Sequence, residues 1–370
     1  MSAKTFQIRG PITTATQSVY IERPQDREVI TYLQGANYIT VLGARQTGKT
    51  SLLYHLIGHL PSEAYIPVLI DLSPIRDADK AQLYHFVSSR IAAQLALDEP
   101  LTPGLGSIPS QIEFQDFLKR AAQKAGTSSR ILVMLDEFEA VPADLREGFF
   151  GTIRTVYNER GIQQEFERYL FLLAGATDPN SLISPESGLS PFNISQKVYL
   201  EDFDLEGVQE MVQYLGIPNP STEKSLAATL FAQTHGHPNL SSKLCVFIKD
   251  RPGTSVEAAV EDFSSSGDEN IHRVLEGLKN HQEETQWVVK LIQGEQTPKF
   301  DRSSALVARL ELLGVIRRGG DGNCAIRNQI YENVLRNQLQ LEQLEVTAAS
   351  EEASRVEAEA LEQAEARQIS

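Results

Sequence analysis

Cysteine pairs and long apolar segments are both missing from this sequence. The 370 residues include only two cysteines, Cys245 and Cys324, which lie far apart and have no partners at metal-binding spacing. A disulfide framework or a zinc site is therefore not expected. The amino-terminal segment MSAKTFQIRG lacks the apolar core of a signal peptide, and no apolar run approaches the roughly 18 residues of a membrane span. These absences predict a cytoplasmic protein.

An excess of positive charge is missing as well. The formal net charge is -15 at pH 7, and residues 341–370 alone hold eight Glu against two Arg. This balance argues against broad electrostatic binding to nucleic acid or to an anionic membrane. The length and a hydrophobic fraction of 41% allow two or three domains with a sizeable core.

Apolar, β-branched segments alternate with amphipathic ones along the first two hundred residues. The pattern predicts strands near residues 40, 68, 133 and 172 and a fifth over 197–204, with helices between them. Such alternation is typical of a parallel sheet with helices on both faces. From residue 205 the pattern turns helical, and the segment after about residue 280 predicts helices around two short strands and a Gly-rich turn.

Residues 43–50, GARQTGKT, match the phosphate-binding pattern G-x-x-x-x-G-K-[ST] in full. Glycines let the backbone curl around an anion, Lys49 supplies a charge for the β- and γ-phosphates, and Thr50 supplies a hydroxyl for Mg²⁺. An apolar strand precedes the loop and an amphipathic helix follows it, as this interpretation requires. The segment's predicted nucleotide contacts are Gly43, Gln46, Thr47, Gly48, Lys49, Thr50 and Ser51.

Two acids follow the third predicted strand, ILVMLDEFEA. Asp136 would lie at the carboxyl end of a central strand, where it can reach Mg²⁺ through water. Glu137 is a candidate to polarise the water that attacks the γ-phosphate, whereas Glu139 is expected to be an ordinary surface acid. Thr177, after the fourth strand, could bond a phosphate oxygen or the water, the alternative being a turn-capping residue. We thus predict catalytic roles for Lys49, Glu137 and Thr177, and a metal site of Thr50 and Asp136.

With these motifs, the sequence resembles the STAND-type signalling NTPases, and more narrowly a bacterial AAA-like domain family that is abundant in cyanobacteria. The resemblance covers about residues 18–338. It is carried by the stretches YIERPQDREVITYLQ, VLGARQTGKTSLL, ILVMLDEFEAV, FFGTIRTVYNE, LFLLAGATDPNSLI, SPFNISQKVYLEDFDLEGV and THGHPNL.

The resemblance implies an adenine nucleotide, ATP or ADP with Mg²⁺, and the guanine-reading pattern N-K-x-D is absent. It implies that Tyr20, Ile21 and Arg23 belong to the segment that covers the adenine and ribose. It also implies that His237 and Pro238 touch the base or the phosphates, the alternative for His237 being a helix cap.

The predicted fold class is an α/β P-loop NTPase with a parallel sheet and helices on both faces, followed by a small helical lid domain and a winged helix-turn-helix. The predicted domains are the NTPase core over residues 1–204, the lid over 205–280, the winged helix over 281–338 and an acidic, helical or disordered tail over 339–370.

Three functions are compatible with these features. The first is a slowly hydrolysing ATP switch in signalling or defence, with protein partners on the winged helix or tail and no membrane contact. The second is a DNA-binding ATPase that uses Arg309, Arg317 and Arg318 of the winged helix. The third is a ring-forming, chaperone-like ATPase, which the absence of any Arg or Lys between Thr177 and Gln196 disfavours.

Overall fold

The structure, a computed structural model, describes residues 5–97, 110–126, 129–183, 190–266 and 268–338. The acidic tail predicted over residues 339–370 lies outside the described residues. Within them, no helix combines the length and the apolar character that crossing a lipid bilayer requires.

A parallel sheet forms the centre of the amino-terminal half, as predicted. Its strands are β1 (Ile39–Leu42), β2 (Tyr65–Asp71), β3 (Arg130–Asp136), β4 (Tyr169–Gly175) and β5 (Gln196–Tyr199). They lie in the order β2-β3-β4-β1-β5. The register pairs Leu42 of β1 with Gly175 of β4, and Asp136 of β3 with Ala174 of β4. The carboxyl ends of β1, β3 and β4 therefore meet at one edge.

Both faces of the sheet are covered, which explains why its strands are apolar throughout. In β3, Ile131, Val133 and Leu135 pack into one core cluster, whereas Leu132 and Met134 pack into another on the opposite face. Burial of each such side chain stabilises the fold by about 1.5–3 kcal/mol. The covering helices are α1 (Pro24–Gln34), α2 (Lys49–His59), α3 (Lys80–Gln94), α4 (Gln111–Lys124), α5 (Arg146–Asn158), α6 (Gln164–Glu167) and α7 (Pro179–Leu182).

The carboxyl-terminal half is mostly helical. Its elements are α8 (Leu205–Gln213), α9 (Pro220–Thr234), α10 (Pro238–Asp250), α11 (Val256–Ser266), α12 (Glu269–Lys279), α13 (Gln282–Gln293), α14 (Ala305–Leu313), the antiparallel pair β6 (Ile316–Arg318) and β7 (Cys324–Ile326), and a helix over residues 329–338.

One hydrophobic cluster joins these elements from α8 to the last helix. It includes Leu244 of α10, Leu310 of α14 and Tyr331. Phe6 and Ile21 of the amino-terminal segment pack into the same cluster. Residues 205–280 and 281–338, predicted as two domains, thus share a core, and the segment before α1 is attached to it. The proposed domain limits remain predictions.

The turn between α9 and α10 binds the chain as it leaves β5. His235 and Gly236 both have left-handed backbones, with φ of 48° and 76°. The Gly236 carbonyl accepts a hydrogen bond from the Phe203 amide at 2.9 Å. A Cβ atom on Gly236 would lie 1.8 Å from the Phe203 carbonyl oxygen. Only glycine therefore permits this approach of the two backbones.

We predict that Gly236→Ala lowers the free energy of unfolding by about 3 kcal/mol, because a backbone clash adds to the left-handed strain of about 1 kcal/mol. Gly216→Ala is the matched control, since Gly216 has a φ of 69° with nothing within 4 Å of its added Cβ. Urea unfolding followed through the single tryptophan, Trp287, measures both variants. Equal losses in the two variants would contradict the close approach.

Candidate nucleotide-binding site

The loop between β1 and α2 has the compact backbone that a phosphate cradle needs. Gln46 and Gly48 adopt left-handed conformations, with φ of 62° and 92°. Thr47 donates its hydroxyl to the Ala44 carbonyl at 2.8 Å, and a Cβ on Gly43 would lie 2.8 Å from the same hydroxyl oxygen. The loop is therefore folded upon itself, and the free amides at the start of α2 adjoin it.

Lys49 is buried inside this loop, with 6% of its surface exposed. Its Nζ donates to the carbonyls of Gly43 at 2.9 Å and Ala44 at 3.1 Å. Burial lowers the pKa of Lys49, and the carboxylates of Glu137, Glu139 and Asp136 oppose that shift. An anion in the loop would supply the counter-charge that the carbonyls replace only in part.

Thr50 and Asp136 meet across the sheet edge, as the metal-site prediction requires. The Thr50 hydroxyl donates to Asp136 Oδ2 at 2.6 Å, and the Glu137 amide donates to Oδ1 at 3.1 Å. Burial raises the pKa of Asp136, and the Thr50 hydrogen bond and Lys49 counter this shift. Hydroxyl and carboxylate oxygens are donors suited to Mg²⁺, which completes its shell with water and phosphate. The described residues contain no cluster of three or more His, Cys, Asp or Glu side chains able to hold a metal unaided.

The two candidates for handling the attacking water occupy the same edge. Glu137 has a left-handed backbone, with φ of 54°, and its carboxylate lies 3.8 Å from the Arg76 guanidinium. Glu137 also lines a cleft between the loop and the helical half. Thr177 is half-buried two residues beyond β4, which lies between β1 and β3.

Sequence reasoning missed Glu139. The expectation of an ordinary surface acid is wrong, because Glu139 Oε1 accepts a hydrogen bond from the Ala176 amide at 3.1 Å and Oε2 is buried. Many acids that follow a strand by three residues are solvated, so the position of Glu139 in the sequence did not indicate its hydrogen bond. The one available signal was Gly175, whose missing side chain leaves room for the carboxylate.

A cleft of about 990 Å³ separates the loop from the helical half. One wall is the loop and the other is a face of α10 with the start of α12, and the amino-terminal segment borders both. The lining residues are Gln7–Ile12, Val19–Ile21, Arg23, Arg45–Ser51, Glu137, Phe203, Met211, Pro238, Asn239, Ser242, Lys243, Val246, Phe247, Asp250, Arg251, Asp268, Glu269, Asn270 and Arg273.

The amino-terminal segment forms a strap, residues 5–23, between the two walls. The Asn239 side chain of α10 donates to the Ile8 carbonyl at 3.2 Å. The Ile12 amide donates to the Ser51 hydroxyl of α2 at 3.0 Å. Ser51, predicted as a nucleotide contact, thus holds the strap in this structure. No periodicity in the sequence indicated these contacts.

The three residues predicted to cover the adenine and ribose all line the cleft. Tyr20 stacks on His55, with ring centroids 4.2 Å apart. Ile21 is buried in the helical core. Arg23 is 5% exposed and donates to the Thr47 carbonyl at 2.7 Å. The guanidinium therefore supports the loop from the strap.

Of the two residues predicted in the GHP segment, the structure brings only Pro238 to the cleft. His237 is fully buried and is not among the cleft-lining residues. Its Nδ1 accepts from the Leu240 amide at 3.4 Å, and its Nε2 lies 3.3 Å from the Tyr331 hydroxyl. In this arrangement His237 caps α10 and joins it to the last helix, which was the alternative for this residue.

Burial lowers the pKa of His237 from its ordinary 6.5 to about 3, and Arg327 adds to the shift. The unfolded chain therefore binds one proton more at this site between those pH values, so stability is lost as the pH falls below about 6.5. We predict that His237→Asn, which retains a capping group, reduces this loss by about 1.4 kcal/mol per pH unit. Urea unfolding at pH 7 and pH 5 measures the difference, and identical pH dependences would contradict it.

Known proteins with similar structures or sequences were found for this chain, and the first of them has the same fold. The structure resembles a Walker-type ATPase of Pyrococcus abyssi, with a TM-score of 0.63 and 16% identity, covering 90% of this chain and 99% of that one. The ORC2 protein of Aeropyrum pernix is matched with a TM-score of 0.49 and 13% identity, covering 86% of this chain and 93% of that one. An uncharacterized WD repeat-containing protein of Synechocystis is 27% identical over 260 residues, which are 68% of this chain and 21% of that protein. Residues 8–337 match the family described as AAA-like domain, and the chain belongs to that family.

Proposed function

We propose that this chain binds ATP with Mg²⁺, hydrolyses it slowly, and acts as a switch of the STAND type whose two halves rearrange with nucleotide state. The observation that carries the proposal is the position of the cleft. A phosphate loop with an adjoining hydroxyl–carboxylate pair forms one wall, and helices of a separate core form the other. A ligand held by both walls stabilises one arrangement of the halves over others.

The residues of the loop and of the strand ends would each have a separate role in ATP hydrolysis. Lys49 would release the Gly43 and Ala44 carbonyls and bind the β- and γ-phosphate oxygens. Thr50 and Asp136 would hold Mg²⁺, which neutralises charge on the transferring phosphoryl group. Glu137, freed from Arg76, would orient the attacking water, and Thr177 would bond the water or a phosphate oxygen. The strap and Pro238 would enclose the base.

Besides the cleft, an ion pair joins the two halves of the molecule near the phosphate loop. Arg327 makes a bidentate ion pair with Asp202, just after β5, at 2.6 and 2.8 Å, and is 4% exposed. A Cβ on Gly314 would lie 3.2 Å from the Ala44 Cβ of the loop. Movement of the loop on nucleotide binding would thus displace the segment after α14, which packs against it. This coupling supports a switch.

Two of the three arginines predicted to contact DNA have partners in the structure, whereas Arg318 is exposed. Among the described residues, Arg309 pairs with Glu284 at 3.0 Å and Arg336 pairs with Glu332 at 2.8 Å. Arg317 is half-buried and donates to backbone carbonyls. Phosphate binding would have to compete with these partners. We therefore place the output in contacts with proteins, through the winged helix or the acidic tail.

We predict that Lys49→Ala weakens ATP binding about 10- to 100-fold, because it removes a charged hydrogen-bond donor from a buried site. Lys124→Ala is the matched control, since Lys124 is exposed at the end of α4. Titration calorimetry with Mg²⁺ and ATP measures both affinities. Unchanged affinity in Lys49→Ala would contradict the proposed function.

We predict that Asp202→Asn loosens the halves, because it leaves Arg327 charged and buried without its counter-ion, a cost of about 3–5 kcal/mol. Hydrogen exchange should accelerate together in the β6–β7 hairpin and in the phosphate loop. Glu276→Gln, which alters the exposed contact of Glu276 with His272 away from the cleft, serves as the control and should change neither. Faster exchange in the hairpin with an unaltered loop would refute the coupling.

A further inference from the structure

The turn after β3 is fastened to the end of β4 by one carboxylate. Glu139 lies in the single helical turn Phe138–Ala140, and its Oε1 accepts from the Ala176 amide at 3.1 Å. Arg146 fixes the same turn from outside, donating to the carbonyls of Val141 at 2.9 Å and Glu139 at 3.2 Å. The turn is therefore held at both its side chain and its backbone.

Gly175 leaves the space that this carboxylate occupies. A Cβ at this position would lie 2.4 Å from Glu139 Oε2 and 2.5 Å from the Phe138 ring. Oε2 is buried and has no hydrogen-bond partner among the described residues. Gly175 therefore fixes the place of the carboxylate, because a side chain at that position would displace it.

The hydrogen bond from the Ala176 amide to Glu139, which we call the clamp, lies between the groups that the proposed reaction needs. Glu137 is two residues before Glu139, and Thr177 directly follows Ala176, which Glu139 binds. The Gly175 carbonyl in turn accepts from the Gly43 amide, the first of the phosphate loop, at 3.2 Å. The Glu139 side chain thus links the acid turn to the end of β4, and the Gly175 carbonyl links that end to the loop.

We propose that Glu139 is a positioning residue for ATP hydrolysis, which sets the separation of Glu137 and Thr177 through its hydrogen bond to the Ala176 amide. The inference rests on the proposed function and deepens it. Glu139 itself makes no contact with nucleotide and transfers no proton. Its loss disturbs the placement of the attacking water while the loop still binds phosphate.

Three variants of the full chain separate this role from a general structural one. Glu139→Ala removes the clamp, Glu139→Gln keeps an oxygen able to accept from Ala176, and Glu147→Ala alters an exposed acid of α5 as the control. Each is measured for its hydrolysis rate at saturating ATP, its ATP affinity by calorimetry, and hydrogen exchange of the residues 169–178 without nucleotide.

In Glu139→Ala we expect hydrolysis to fall about 10- to 100-fold, with ATP affinity within about two-fold of wild type and faster exchange at the end of β4. Glu139→Gln should restore the exchange and most of the rate, and Glu147→Ala should match wild type. This pattern supports positioning, because a merely structural defect would weaken binding alongside the rate.

Four outcomes would overturn the inference. Full hydrolysis by Glu139→Ala shows that the clamp is dispensable, and a parallel loss of affinity shows a general structural role. A Glu139→Gln variant with normal exchange but the slow rate of Glu139→Ala assigns the effect to charge. Absence of hydrolysis in the wild type contradicts the proposed function itself, and with it this inference.

Discussion

The parallel register of β1, β3 and β4 is the constraint on which the candidate site depends. Because parallel strands end at the same edge, residues separated by more than 80 positions meet there without any long loop. The Thr50–Asp136 hydrogen bond, whose partners are 86 positions apart, follows from that register. Each of these three strands is paired with two neighbours, and this pairing restrains the strand ends that carry Asp136 and Gly175.

The carboxyl-terminal half contributes one wall of the cleft, and this wall rests on the helical cluster. Strap, α10 and α12 are packed in the helical cluster, whereas the loop belongs to the sheet. Among the described residues, contacts between the halves include the strap, the Gly236 turn and the ion pair of Asp202 with Arg327. Arg302 also lies over the Tyr199 ring, and Leu312 of α14 packs into the core of the sheet.

The sequence predicted the sheet, the loop and the acid at the end of β3 because each is encoded by contiguous residues. An apolar strand, a glycine-rich turn and a helix lie side by side in the chain, so a short motif contains its own structural context. Glu139 could not be placed in this way, since its partner, the Ala176 amide, follows the end of β4 and lies 37 positions later in the chain. For the same reason, the sequence alone did not distinguish a His237 facing nucleotide from the cap that the structure contains.

The shared core of the carboxyl-terminal half also escaped prediction. Amphipathic helices show which face is buried but not which neighbour buries it. Residues 205–280 and 281–338 differ in pattern, and that difference favoured two domains. Their apolar faces nevertheless pack together, from Val208 near the start of α8 to Leu335 in the last helix.

The strap limits how far the two halves can separate. Its contacts at Ile8 with α10 and at Ile12 with α2 are four positions apart in the chain. Four positions of extended chain span at most about 14 Å. Any wider opening must break one of these two hydrogen bonds first. The amino terminus thus acts as a tether of fixed reach, and exchange of a tightly enclosed ligand would proceed by its detachment at one end.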